Sequence, residues 1–374
     1  MPDRARRRTL SALPAAAALA ICAPAGVAGC SSGASRRLAA APRIARWARP
    51  QRGFNIGVLD AARHDDAFLA AAAGHGARLV RLFVPLGGHG ARPAIDGDTR
   101  RALELVLARA ERAGLAVLLV PDLNAESASP LWSDAVHADA FVAAWVALAR
   151  ELRGADAIAG FDLLNEPNPP WPDGRIGSSS ALWEALARRA LQAIRAEDAD
   201  LPIILEGVAG GSAMGLLALG HWDDLALVYS LHFYTPHEIT HQRVSPRWPR
   251  TLSYPNDDPR SLQGTWAYPG PWNRERLRAE LTAAAARGRK DQLPVYVGEF
   301  SCVRWAPGES AANYVGDCLA LFGEFGWSWT YHEFRGWPGW DAETTGEGLL
   351  TGPRRADAPV MRRLREALAA PVAA

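Results

Sequence analysis

The chain has 374 residues, 49% hydrophobic and 22% charged, with a formal net charge of +1. This composition excludes a disordered chain and provides for one large core. The near-zero charge, with no stripe of Lys and Arg, excludes nucleic acid as a partner.

The first 30 residues read as a targeting segment. Arg4, Arg6, Arg7 and Arg8 form a basic start, and 10–21 is an alanine-rich apolar run too short to span a membrane convincingly. Val27-Ala28-Gly29-Cys30, followed by Ser31-Ser32-Gly33, resembles a bacterial lipobox, in which the cysteine is lipidated after cleavage. An ordinary signal peptide cut near Ala28 is the alternative, and Arg7-Arg8 with Thr9-Leu10 faintly resembles a twin-arginine signal. Each reading exports the protein, to a membrane-anchored, periplasmic or extracellular position. Membrane contact is then expected only through a lipid on Cys30. Four arginines and one aspartate precede Cys30, so the exported chain carries a net charge near −2. Its folded part holds only Cys302 and Cys318. An oxidising compartment permits them to pair, and two free buried thiols fit the sequence equally.

Residues 31–52 are small, Arg-rich and Pro-containing, and are expected to be a tether. From residue 53 to 374 strand and helix patterns alternate. Apolar runs at 54–59, 78–86, 117–123, 157–164, 203–208, 227–234, 295–300 and 327–334 read as strands buried on both faces. Asp98 can cap a helix that runs to Ala113 and stops at Gly114. Further helical patterns cover 139–153, 180–196, 274–286, 311–325 and 359–369, with weaker ones at 65–73 and 214–219. Eight strands alternating with about eight helices predict an α/β fold, a single (β/α)8 TIM barrel with extended loops at its C-terminal face. A core this large is uncommon in any other single domain. Nothing predicts an oligomer, and a monomer is expected.

Two strands end in a glutamate. Phe161-Asp162-Leu163-Leu164-Asn165-Glu166-Pro167 runs from an apolar strand into a carboxylate. Pro167 cannot join a ladder and favours extended geometry at Glu166. Pro294-Val295-Tyr296-Val297-Gly298-Glu299-Phe300 repeats the plan. Each glutamate alone could cap a loop or pair with an arginine. Two on one rim are what glycosidic cleavage requires, one as acid and one as nucleophile. Other strand ends contribute Arg81, Asp122, Asn124, Asn165, His232, Tyr234, Trp329 and His332. Arg81 and Tyr234 can keep a carboxylate ionised, and an apolar setting can keep another protonated. His332 reads as structural, and Glu206, which ends strand five, receives no role. The fourteen tryptophans are the outlying count, since Trp faces stack on sugars but also fill cores. The longest loop, 235–273, carries His237, His241, Arg247, Trp248, Tyr254, Trp266, Tyr268 and Trp272 and reads as a substrate wall. Trp171, Trp337 and Trp340 lie in two other rim loops.

Seven segments in order resemble family 5 of the glycoside hydrolases, the cellulase-like barrels. They are R-G-F-N-I-G at 52–57, L-V-R-L at 79–82, L-L-N-E-P at 163–167, H-F-Y at 232–234, T-H-Q at 240–242, V-G-E-F at 297–300 and W-S-W-T-Y-H at 327–332. The resemblance implies a retaining hydrolase of a β-glycan, endoglucanase-like, with Glu166 as acid/base and Glu299 as nucleophile. It assigns Arg81 and Tyr234 to positioning Glu299, and His232 to the catalytic centre. Asn165 would contact the sugar 2-hydroxyl, and Trp329 would form the floor under the cleaved sugar. No metal or organic cofactor is implied, and the partner is a polysaccharide or oligosaccharide. One departure stands out: many members read D-x-H after strand three, where this chain reads Asp122-Leu123-Asn124. Asn124 can hydrogen-bond a sugar but cannot titrate near neutral pH. Exo action, a mannan or exopolysaccharide substrate, or an inactive carbohydrate-binding lipoprotein are the alternatives.

Overall fold

The computed structural model describes residues 42–87, 92–123, 128–258, 262, 270–346 and 351–371. Eight parallel strands close into a barrel in sequence order. They are β1 Arg52–Val58, β2 Leu79–Pro85, β3 Ala116–Asp122, β4 Ile158–Asp162, β5 Ile203–Glu206, β6 Leu227–His232, β7 Val295–Glu299 and β8 Ser328–Tyr331. A helix follows each: α1 Asp66–Gly74, α2 Gly97–Arg112, α3 Ala135–Glu151, α4 Ile176–Glu197, α5 Ala213–Ala218, α6 Arg274–Asp291, α7 Ser310–Phe325 and α8 Pro359–Ala369. The expected (β/α)8 barrel is therefore present. Local chemistry sets its boundaries. Asp65, Asp96, Asp134, Ser212 and Asn273 each cap a helix by accepting a backbone N–H. The cap of α2 is thus Asp96 rather than the expected Asp98, which sits in its first turn.

Two cores divide the apolar residues. The larger fills the space between barrel and helices. The smaller lies inside the barrel, where Leu79, Leu118, Ile204, Val228 and Tyr296 meet Ile44 and Trp47. Those last two residues lie on a 3₁₀-helix, Pro42–Ala48, where three residues make one turn and put positions 44 and 47 on one side. Trp47 is 3% exposed, donates its Nε1–H to the Ala159 carbonyl at 2.9 Å and packs edge-on to Tyr296 at 5.4 Å. The tether expected over 31–52 is thus corrected from Pro42 onward, because two large apolar side chains there are buried under the barrel, and β1 begins at Arg52. Cys302 and Cys318 are both free and buried. No helix among the described residues is long and apolar enough to cross a membrane.

One layer above the apolar plug the barrel interior turns polar. Alternation along each strand carries Asn55, Arg81, Asp162, Glu206, Ser230 and Thr330 inward, and all six are fully buried or nearly so. This layer is the platform on which the strand ends stand.

Candidate active site

Arg81 organises the layer. Its side chain is fully buried and places all five N–H groups on acceptors. Nε donates to Asp162 at 2.9 Å, Nη1 to Asn55 at 3.1 Å and Glu299 at 2.7 Å, and Nη2 to Asn165 at 2.9 Å and Glu206 at 3.0 Å. A guanidinium supplies that fork, and a lysine would not. Three carboxylates surround it, and burial together with Glu206 pushes the Asp162 carboxyl well above its ordinary range.

Glu299 stays charged. Its Oε1 takes the Arg81 hydrogen bond and its Oε2 accepts from the Tyr234 hydroxyl at 2.8 Å. Nδ1 atoms of His332 and His232 lie 3.6 and 3.8 Å from Oε2. Burial disfavours the charge, but His332, His232 and Arg81 outweigh it and hold the Glu299 carboxyl far below the usual carboxylate range. Burial and the Glu299 charge raise Tyr234 well above the ordinary phenol, so it remains a donor.

Glu166 sits at the mouth, with its side chain 41% exposed and its Oε1 2.9 Å from His232 Nδ1. Its backbone has φ 48°, the left-handed region, where Pro167 had led to the expectation of extended geometry. The physical reason is its N–H, which donates to Glu206 Oε2 at 2.9 Å instead of joining a ladder. One ligand atom each from Glu166, His232 and Glu299 lie within 4.8 Å of one another. That set has the spacing to hold a cation, although Arg81 and Tyr234 already occupy the Glu299 oxygens. Two carboxylates this close, one ionised and buried and the other open to solvent, can also work as a nucleophile and a proton donor.

His232 is buried among carboxylates. Burial would lower its pKa, but Glu206, Glu299 and the Glu166 hydrogen bond raise it well above the ordinary imidazole. Its Nε2 is 3.1 Å from Glu206 Oε1 without hydrogen-bond alignment, so that contact is an ion pair.

The structure brings Arg81, Asn165, Glu166, His232, Tyr234 and Glu299 together. Asn124 lies outside the described residues, as do Trp266 and Tyr268. Trp329 is corrected: it is 2% exposed and faces out of the barrel against Phe300, because Thr330 takes the inward position and donates to the Gly298 carbonyl. The strand-eight residue that faces Glu299 is His332, set edge-on to Trp340 at 5.5 Å. Asp122 ends β3 half-buried, with its carboxyl raised by burial.

Two aromatic arms leave the carboxylate pair. Beyond Glu166 a cleft of about 750 Å³ is lined by Asn165, Pro169, Pro170, Trp132 and Trp171. Beyond Glu299, Tyr234, His241, Trp340 and Trp337 form a contiguous wall that continues through His237 to Trp248. Burial, then His237 and His332, lower the His241 pKa to about 3, so this wall carries a neutral imidazole. Tyr254 and Trp272, expected in the wall, are buried in the core. Sequence reasoning left Glu206 and His332 without roles. Ile203-Ile204-Leu205-Glu206 repeats the strand-then-glutamate pattern of the two other strands, and that signal was available.

Residues 48–335 match the family described as Cellulase (glycosyl hydrolase family 5). Endoglucanase C of Acetivibrio thermocellus is 28% identical over 221 residues, covering 54% of this chain and 62% of the relative. Endoglucanase C307 of Clostridium sp. strain F1 matches to the same extent. The chain therefore spans less than two thirds of the length of these relatives. Among solved structures, Thermotoga maritima Cel5A in complex with cellobiose superimposes with a TM-score of 0.67 at 22% identity, over 87% of this chain and 99% of that one. The matched segment covers most of the barrel, and the chain belongs to glycosyl hydrolase family 5, the cellulase family.

Proposed function

We propose that the protein is a retaining β-glycan hydrolase of endoglucanase type. The observation that carries this reading is the Glu166 and Glu299 oxygens within 4.8 Å of each other. Retaining enzymes hold the two carboxyl groups about 5–5.5 Å apart, against roughly 6.5–9.5 Å for inversion. Glu299, ionised by its neighbours, attacks the anomeric carbon as the glycosidic C–O bond breaks. Glu166 gives its proton to the departing oxygen. Glu166, now a carboxylate, takes a proton from water, the oxygen of that water attacks the anomeric carbon, and Glu299 departs. Arg81 and Tyr234 hold Glu299, while Asn165, anchored by Arg81, faces the sugar 2-hydroxyl. Aromatic arms on both sides of the pair suit a chain that continues past the scissile bond, which favours internal cleavage. The names of the relatives support a β-glucan substrate. Glycan is the partner, and the protein acts after export, with Cys30 as its lipidated anchor.

A 2-deoxy-2-fluoro-β-cellobiosyl fluoride tests the mechanism. The fluorine slows the second step, so the sugar is expected to remain on the peptide that contains Glu299, read by mass spectrometry. No adduct, with an inverted first product by NMR, would overturn the retaining reading.

A further inference from the structure

We propose that Glu206 is a positioning residue for Glu166, acting on it at two points: the His232 imidazole and the Glu166 backbone N–H. The proposal rests on the retaining reading above. Glu206 is 0% exposed, so it cannot itself meet a sugar. Its oxygens are all engaged. Oε1 accepts from Arg81 Nη2 at 3.0 Å and lies 3.1 Å from His232 Nε2 as its ion-pair partner, and Oε2 accepts the Glu166 N–H at 2.9 Å. That last bond fixes a backbone in the left-handed region, which a residue with a side chain occupies only when its surroundings impose it. A turn over 208–211 closes the arrangement. Gly211, at φ 67°, lies so near that an added Cβ would meet Glu206 Oε2 at 2.7 Å and His232 Cγ at 3.2 Å. Glycine is required there for the turn to close over the pair.

The imidazole carries the second action. His232 Nδ1 holds Glu166 Oε1 at 2.9 Å, while Nε2 is paired with Glu206. A buried carboxylate behind an imidazole fixes its charge and orientation. Carboxyl groups face His232 from three strands: Glu166 and Asp162 from β4 and the residues after it, Glu206 from β5 and Glu299 from β7. Of these charges Glu206 contributes most to keeping His232 protonated. Without it the imidazole turns neutral at lower pH, and Glu166 loses a charged donor as well as a backbone tie.

Glu206→Gln in the full chain tests this, because it keeps shape while removing the charge and leaving one acceptor oxygen for Arg81 and the Glu166 N–H together. Titration of the His232 ring nitrogens by NMR needs no substrate. The variant is expected to lower the His232 pKa by about one unit or more. Hydrolysis of two β-cellobiosides gives the second readout. Dinitrophenolate departs without a proton, and phenol needs one. The variant is expected to lose about tenfold to a hundredfold in kcat/KM on the phenyl compound and much less on the dinitrophenyl one. Azide, which replaces the activated water, is expected to restore turnover. A His232 titration identical to the parent, with equal losses on both glycosides, would overturn the proposal and leave Glu206 a structural partner of Arg81. If the parent hydrolyses neither glycoside, the reading of the substrate fails and the His232 titration alone decides. Should the Gln variant not fold, Glu206→Asp keeps the charge but withdraws it from the Glu166 N–H. It is then expected to retain the raised His232 pKa while losing selectively on the phenyl glycoside, and an unselective loss overturns the proposal.

Discussion

A carboxylate as buried as Glu299 would ordinarily gain a proton, and its neighbours prevent this. Tyr234 donates to the charged form, and such a bond contributes about 1.5–3 kcal/mol. Tyr234→Phe is therefore expected to lower kcat/KM by roughly tenfold to a hundredfold, measured on an activated aryl glycoside where chemistry at Glu299 limits the rate. Glu299→Gln is expected to lose about 10⁴-fold or more, since nothing replaces the nucleophile. Glu166, Glu299, Asn165, His232 and Tyr234 were legible in the sequence because each stands at or beside a strand end, where the fold places its chemistry, and Arg81 because it is a lone charge inside an apolar strand. His332 was not, since its part depends on which side of β8 turns inward. Glu206 was visible but ambiguous: a third strand-end glutamate gains meaning only from its 2.9 Å contact with a backbone N–H forty positions earlier in the chain.

At the scale of elements, the strands and helices were legible from apolar runs and from their stops at Gly and Pro. Strand ends were read slightly long, as at β4, which closes at Asp162 where 164 was expected, because Trp145 rather than a neighbouring strand takes up the Leu163 carbonyl. Trp329 was misplaced for want of parity: Thr330 hydrogen-bonds inward, so its neighbours must face the helices. The plug at 42–48 was hidden by composition, because two apolar residues among arginines form no periodic run. Its weight can be measured. Trp47→Ala removes a side chain that is 3% exposed from the barrel bottom and is expected to destabilise by about 3–5 kcal/mol. Urea denaturation would read this as a lower midpoint. Because the plug lies at the end of the barrel opposite Glu299, kcat on a soluble glycoside at low temperature is expected to stay at the parent value. A fall in kcat with an unchanged midpoint would contradict that division of labour.

Across the whole molecule, the barrel interior is apolar at one end and a charged lattice at the other, and Arg81 joins the lattice to the fold. Asp162, Glu206 and Glu299 all contact its guanidinium. Removing one partner of such a buried set leaves charge without compensation, at a cost of about 3–5 kcal/mol. Arg81→Met is expected to lose that much at pH 7, a large part of the stability of any domain. The pH dependence follows from sign. Glu299 has a folded pKa held below its ordinary 4.5, so its stabilising contribution is present above that value and disappears as pH falls through the folded pKa. In the variant that depression is smaller, with His332 and His232 still lowering the Glu299 carboxyl, and the carboxylates Arg81 leaves behind protonate more readily. The stability gap between parent and variant should therefore be widest near pH 7 and narrow below about pH 4.5. His232 works in the other direction. Its raised pKa adds stability that is full below its ordinary 6.5 and is lost as pH rises through the folded value, so the parent is expected to weaken on the alkaline side. Urea midpoints of both proteins from about pH 2 to 9 would display the two slopes. A gap that stays constant across that range would mean that Arg81 acts through packing alone rather than through the charges it joins.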